Sequence, residues 1–197
     1  MKKIFKISSV FLLVCTALTG FAQTPTWYWA KGAGLTGEDF GYSVALDNAG
    51  NSYATGSYTS ATITFGSVTL MNAGGGDAFL VKYDAAGTVL WAKNIGSTAG
   101  EVGHAVAVDA SGNCFVAGWF TSSTLPFVST TLNATSGADI FIAKYDPAGT
   151  ELWARSAGGS GTDLCNGLAV DPSGNVIAAG RFTGTTAVFG STILTNT

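Results

Sequence analysis

The sequence predicts an all-β fold, a partial β-propeller built from four-stranded antiparallel blades. Three observations carry that prediction: the chain repeats at a fixed interval of 62 residues, hydrophobicity within each repeat alternates with period two, and glycine is abundant while charge is scarce. Of 197 residues, 27 are glycine and 11% are charged, against a charged fraction of roughly 25% in ordinary soluble domains. This composition suits tightly turned strands and disfavours a solvated helical bundle.

The first element is an expected address. Residues 1–22 open with Lys2, Lys3 and Lys6, continue as an apolar stretch from Ile7 to Leu18 and end in small residues at Ala22 before Gln23, the pattern of a secretory signal peptide. The stretch is too short to span a bilayer stably and no later run reaches 18 apolar residues, so no transmembrane helix is expected in the mature chain. The predicted location is extracellular or at the cell surface, with the periplasm as the other exported compartment. Val14, before Cys15, is not the small residue that lipidation would need. Removing the three lysines leaves 6 basic against 12 acidic side chains. With no basic excess and no stripe of alternating aromatic and basic residues, nucleic-acid binding is excluded.

The remaining residues, 23–197, read as one repeat domain. Trp29, Trp91 and Trp153 are 62 residues apart, as are Asp47, Asp109 and Asp171, then Gly56, Gly118 and Gly180, then Phe65, Phe127 and Phe189. Residues 29–90 and 91–152 are identical at 29 of 62 positions without a gap. A sustained period of this size means a stacked or radial array. In the second unit, Gly103 to Asp109 alternates as a strand, turns through Asp109-Ala-Ser-Gly-Asn113 and returns from Cys114 to Phe120. A second hairpin runs from Asp139 through the turn Asp146-Pro-Ala-Gly-Thr150 to the strand around Trp153. In such turns Asp caps backbone N–H groups and Gly accepts positive φ. Two hairpins make one four-stranded blade. The Ser/Thr-rich excursion between them, residues 121–138, is expected to form a small extra hairpin.

These strings, Ala-Val-Asp-Ala-Ser-Gly-Asn113, Ala138-Asp-Ile-Phe-Ile-Ala-Lys-Tyr-Asp-Pro-Ala-Gly-Thr150 and Trp153-Ala-Arg-Ser-Ala-Gly-Gly-Ser-Gly-Thr-Asp163, resemble the SBBP family of bacterial β-propeller repeats. The likeness covers everything from Trp27 to the end. It implies a secreted, multi-bladed propeller, often within a large surface protein, and no common catalytic residues. The expected parts are a closing strand over 27–34, blade 1 over about 41–96, blade 2 over about 103–158 and an incomplete blade 3 over 165–197. Propellers close with roughly four to eight blades, so these units cannot close a ring alone. The expectation is the N-terminal part of a longer protein, or a chain that self-associates to cover its open edges.

Candidate sites follow from the repeat. Asp39, Glu101 and Asp163 precede the first strand of each unit, and Asp77 and Asp139 precede the third, so both columns lie at the same end of the blades as the hydroxyl-rich excursions. A rim of these carboxylates could hold Ca²⁺ or a glycan. The favoured reading is that each ties down its own glycine-rich loop, because a residue present in every unit is what folding demands. Binding positions should differ between units, which singles out Trp119, in the column of Ser57 and Arg181, as a ligand-stacking candidate. His104, in the column of Tyr42 and Asn166, has no visible partner for catalysis or metal binding, and Glu38 and Glu151 are the carboxylates outside the repeat register. Gly32-Ala-Gly-Leu-Thr-Gly37 matches a dinucleotide fingerprint in letters alone, lacking the βαβ context. Cys114 and Cys165 fall at opposite strand ends, about 20 Å apart at roughly 3.3 Å per residue, so both are expected as free buried thiols. Trp29, Trp91 and Trp153 are assigned to packing between blades, with Lys31, Lys93 and Arg155 as solvated neighbours.

The function expected is a non-catalytic interaction or scaffold module with an extracellular protein or glycan partner, with no catalytic residues, no cofactor beyond Ca²⁺ and no nucleic acid. The alternative is a lectin-like or glycan-processing propeller that uses the acidic loop face.

Overall fold

The computed structural model describes residues 12–13, 28–34 and 36–196. Its strands make up 62% of it, no helix is present among the described residues, and no barrel closes. Apart from Leu12–Leu13, the expected signal peptide lies outside the described residues.

One turn, used five times, shapes the array. The Oδ1 atoms of Asp47, Asp84, Asp109, Asp146 and Asp171 each accept the N–H groups two and four residues on, at 2.7–3.0 Å. The glycine three residues after each Asp has φ between 79° and 84°, a conformation that any side chain would strain. Between such turns the period-two sequence extends into strands.

A two-residue strand, β1 (Leu12–Leu13), pairs antiparallel with β2 (Ala30–Lys31). The first blade is an antiparallel sheet in the order β3 (Asp39–Leu46), β4 (Ser52–Tyr58), β7 (Asp77–Tyr83), β8 (Val89–Ile95). The second repeats it as β9 (Glu101–Val108), β10 (Cys114–Phe120), β13 (Ser136–Tyr145), β14 (Glu151–Thr162). The excursions form hairpins of their own, β5 (Thr62–Phe65) with β6 (Val68–Met71) and β11 (Thr124–Pro126) with β12 (Thr131–Asn133). The third unit shows β15 (Leu164–Val170), β16 (Val176–Arg181) and the hairpin β17 (Thr186–Phe189) with β18 (Thr192–Thr195). That hairpin joins the far end of β14 through Gly158–Val188 and Gly159–Ala187.

The core lies between the blades. Tyr53, Leu80 and Ile95 of the first blade meet Val116, Phe120 and Phe141 of the second, all but inaccessible to solvent, with Leu125 and Leu132 of the insert closing the layer. Burial of these faces is the main force holding one blade on the next. The outer rim is sealed by the recurring tryptophans. Trp91 donates its Nε1–H to Pro147 O at 3.1 Å and its ring covers Gly149 in the next blade, where a Cβ would stand 2.9 Å from the indole. Trp29 does the same one repeat earlier, on Ala85 O and Gly87, with its ring 5.5 Å from that of Tyr83 and tilted by 37°. The segment around Trp29 therefore sits on the first blade as β8 sits on the second. Replacing Trp91 with alanine is expected to cost about 3 kcal/mol, the low end for a buried Trp because this ring is half-exposed. Urea denaturation checks this, and a loss below about 1 kcal/mol would refute the seal.

Each inner strand carries one extra residue. The pairing slips at Gly41/Ser43 and at Cys165/Gly167, and in β9 the slip lies between Gly103 and Ala105, so Tyr42, His104 and Asn166 have no partner across the ladder. A bulge re-aims the side chain it frees. The carbonyl preceding each bulge folds over a glycine of the paired strand: a Cβ would stand 1.8 Å from Phe40 O at Gly56, 1.7 Å from Val102 O at Gly118 and 2.0 Å from Leu164 O at Gly180. This is why the glycine column recurs.

The two ends of the array are unlike its joints. β4 and β10 are paired on both edges, whereas among the described residues β16 is paired with β15 alone. Val44 and Leu46 are 50% and 56% exposed at one end and Ile177 is 52% exposed at the other, while Val106, the counterpart of Val44 in the second blade, is 6% exposed.

Candidate functional site

The five repeat carboxylates are all buried, with at most 2% of each residue exposed. Four accept the N–H group four residues earlier: Ala73 to Asp77 Oδ2, Ser97 to Glu101 Oε2, Thr135 to Asp139 Oδ2 and Gly159 to Asp163 Oδ2, at 2.6–2.9 Å. Asp39 accepts the Ser60 hydroxyl at 2.9 Å, and Glu101 accepts that of Ser122 at 2.5 Å. The loop-tying role is thus present in the structure.

The carboxylates nevertheless come together in pairs, one pair at each blade joint. The Glu101 N–H donates to Gly76 O at 2.8 Å and the Asp163 N–H to Ala138 O at 2.7 Å. These bonds bring the first-strand acid of one blade beside the third-strand acid of the blade before. Asp139 Oδ1 and Asp163 Oδ2 lie 2.6 and 2.8 Å from the point a Cβ would occupy at Gly158, while at Gly96 the three nearest atoms all belong to the Asp77 carboxyl group, with Oδ1 at 2.4 Å. Burial pushes Asp77, Glu101 and Asp139 above the usual carboxylate range, more than their hydrogen bonds hold them down. The neighbouring acid adds to the rise at Glu101 and Asp139.

Trp119 is half-buried and lines an open cleft of about 470 Å³ with Thr162 and Leu164, on the side facing the third unit. Tyr42 and His104 stack at 4.6 Å on adjacent inner strands, with Phe40 5.9 Å from Tyr42. Cys114 and Cys165 are free and buried. Burial raises the Cys114 thiol to about 12 and also raises Cys165. Alkylation at pH 8 is therefore expected to label neither thiol until denaturant is added; rapid labelling of Cys114 in the native chain, read by peptide mass, would contradict this burial.

The roles of three polar side chains escaped the sequence reading. Lys82, 4% exposed, lies 3.6 Å from Asp47, donates to Pro147 O at 3.0 Å and sits 4.8 Å above the Tyr53 ring. Lys144 repeats the first and third of these contacts with Asp109 and Phe115. Both follow the 62-residue period, which was the available signal. Glu151, one of the two carboxylates outside the repeat register, accepts the N–H groups of Val128 at 2.6 Å and Ser129 at 3.0 Å, with the Ser129 hydroxyl as a further donor. The signal was a paired change between units. Gly66 packs on Val89 in the first unit, and Val128 and Glu151 replace them in the second.

Comparison with known proteins adds a likeness to a WD repeat-containing protein and to a regulatory protein. Over 155 residues, 71% of this chain, the sequence is 26% identical to an uncharacterized WD repeat-containing protein of Acanthamoeba polyphaga mimivirus, of which it covers 11%. Over 111 residues, 55% of this chain, it is 33% identical to the regulatory protein FlaEY of Caulobacter vibrioides, of which it covers 12%. The chain is similar to a piece of a WD repeat-containing protein and to a piece of a regulatory protein. It spans about a tenth of the length of the curated relatives it matches. No family model matches it, and the likeness to SBBP repeats rests on the motifs themselves. Among the described residues no helix is long and apolar enough to cross a membrane.

Proposed function

We propose that the chain is a non-catalytic, exported interaction module whose array is completed by further strands of the same repeat type, supplied by a longer protein or by a second copy. The observation that carries this reading is the free edge of β16 and the apolar cleft beside it. The cleft, about 420 Å³, is lined by Ile140, Ile142, Cys165, Phe182, Phe189 and Leu194. In the second blade the corresponding space is filled by Phe141 of β13, which pairs with β10. A strand like β13, with large apolar residues on alternate positions, fits both the edge and the cleft. The WD repeat-containing relative and the length of both relatives support a module that works within a larger assembly.

The test is complementation. A peptide spanning residues 136–158, which carries β13 and most of β14, is added to the full chain and binding is followed by sedimentation. Binding, or concentration-dependent association of the chain alone, is the expected result. A chain that stays monomeric at high concentration and ignores the peptide contradicts the reading.

A second reading, glycan binding, is favoured by the cleft at Trp119 rather than by the acidic residues, which are buried. It predicts that Trp119→Ala abolishes binding on a glycan array without lowering the thermal midpoint; the absence of any bound glycan would remove it.

A further inference from the structure

The two buried carboxylate pairs have no compensating charge. Among the described residues the ion pairs are Lys82 with Asp47 and Lys144 with Asp109, and neither includes a member of either carboxylate pair. Asp77 Oδ1, Asp139 Oδ1 and Asp163 Oδ1 are buried and accept no hydrogen bond. An orphaned buried oxygen is costly, and two ionised carboxylates placed together in a low-dielectric interior are more so. The orphan recurs where the pair recurs, and at Gly158 the orphaned Asp139 Oδ1 faces the same small space as Asp163 Oδ2. A glycine at that point leaves room that any side chain would fill.

We propose that each blade joint binds one hard divalent cation of the calcium class, taken between Asp77 and Glu101 at the first joint and between Asp139 and Asp163 at the second. The donors are oxygens alone. Neither cysteine belongs to either pair, which disfavours zinc and copper and suits calcium. No third acidic, histidine or cysteine ligand joins either pair among the described residues, so backbone carbonyls and water complete an oxygen shell of roughly six to eight. The bound ion would neutralise the pair and fasten one blade to the next. This inference is independent of strand completion, since both joints exist in the chain by itself.

The probes are Ca²⁺ and Tb³⁺ on the full chain after EDTA treatment. Tyr58 donates to Asn94 Oδ1 at 2.6 Å, and Asn94 donates to Asp77 Oδ2 at 2.5 Å, which places a sensitising phenol beside the first joint. Millimolar Ca²⁺ is expected to raise the thermal midpoint over EDTA, and Tb³⁺ titration is expected to saturate near two ions per chain, because a ligand held only by the folded state stabilises it. The pair Asp139→Asn with Asp163→Asn should lower that count to about one while the Tyr58-sensitised signal remains. Should that variant fail to fold, the count on the unmodified chain decides. A count of one or none, or a midpoint that ignores Ca²⁺ but rises on acidification from pH 7 to pH 5, overturns the proposal. The second outcome would mean that each pair shares a proton instead.

Discussion

Replacing Gly118 with alanine is expected to disrupt the second blade, with a loss of about 4 kcal/mol or more. The added methyl would stand 1.7 Å from Val102 O and 3.1 Å from the His104 backbone nitrogen, and backbone atoms cannot rotate away as a flexible side chain can. The clash falls at the bulge that frees His104, so relief would mean re-registering β9 against β10 and moving Val106 out of the core between the blades. Gly167→Ala is the matched control. Its Cβ would meet only the Ala179 methyl at 3.8 Å, an ordinary contact, and its φ is not in the positive range. Urea denaturation of both variants should show a large loss for the first and a change within about 0.5 kcal/mol for the second. Equal stabilities would mean that the bulge does not hold the blade.

Replacing Lys82 with alanine is expected to cost about 3 kcal/mol, because it leaves Asp47 without its cation in a largely desolvated site and frees Pro147 O of a donor. Lys82→Met keeps the stem over Tyr53 and isolates the charge; it should recover part of the loss. The ion pair also predicts a pH dependence. Desolvation raises the Asp47 carboxyl, but the Asn51 side chain, the Asn51 and Ala49 N–H groups and Lys82 together hold it below the usual carboxylate value. Its stabilising contribution is therefore present above the unfolded carboxylate pKa of about 4 and is lost as pH falls through the lower folded value. Asp109, held down in the same way by Asn113 and Lys144, follows it. Asp77, Glu101 and Asp139 work in the opposite sense. Their raised folded values mean that, in EDTA, acidification from pH 7 stabilises the chain until these groups are protonated. Stability should then decline below about pH 4, and in Lys82→Met that decline should be shallower. Thermal midpoints across this range check both signs.

Most of the fold was legible because one repeat was written nearly three times. The 62-residue period, the five Asp-to-Gly turns and the period-two strands lead directly to the observed blades, and the hydroxyl-rich excursion is the hairpin it was expected to be. Repetition also separated structural residues from the rest, as Trp29 and Trp91 show by covering Gly87 and Gly149 at the same place in successive units. What stayed hidden depends on neighbours across a joint. The two acidic columns could be placed at one end of the blades, but their sorting into the pairs Asp77 with Glu101 and Asp139 with Asp163 needs the stagger of one blade on the next. Lys82 and Lys144 each lie along an aromatic ring and reach an Asp of the neighbouring hairpin turn, contacts with residues of another turn that the pattern of their own strand does not announce. Glu151 was unreadable for the opposite reason, since it serves a single turn in a single unit.

The account rests on an array whose joints are complete inside and whose β16 edge is open. Hydrogen exchange measured strand by strand tests this most directly, because β10 is the internal reference for β16 at the same position in the repeat. In the monomeric chain β10, paired on both edges, should exchange slowly, while those β16 amides that face the free edge should exchange orders of magnitude faster and become protected when the 136–158 peptide is added. Protection of β16 equal to that of β10 in the monomer alone would contradict the open edge and the function proposed for it.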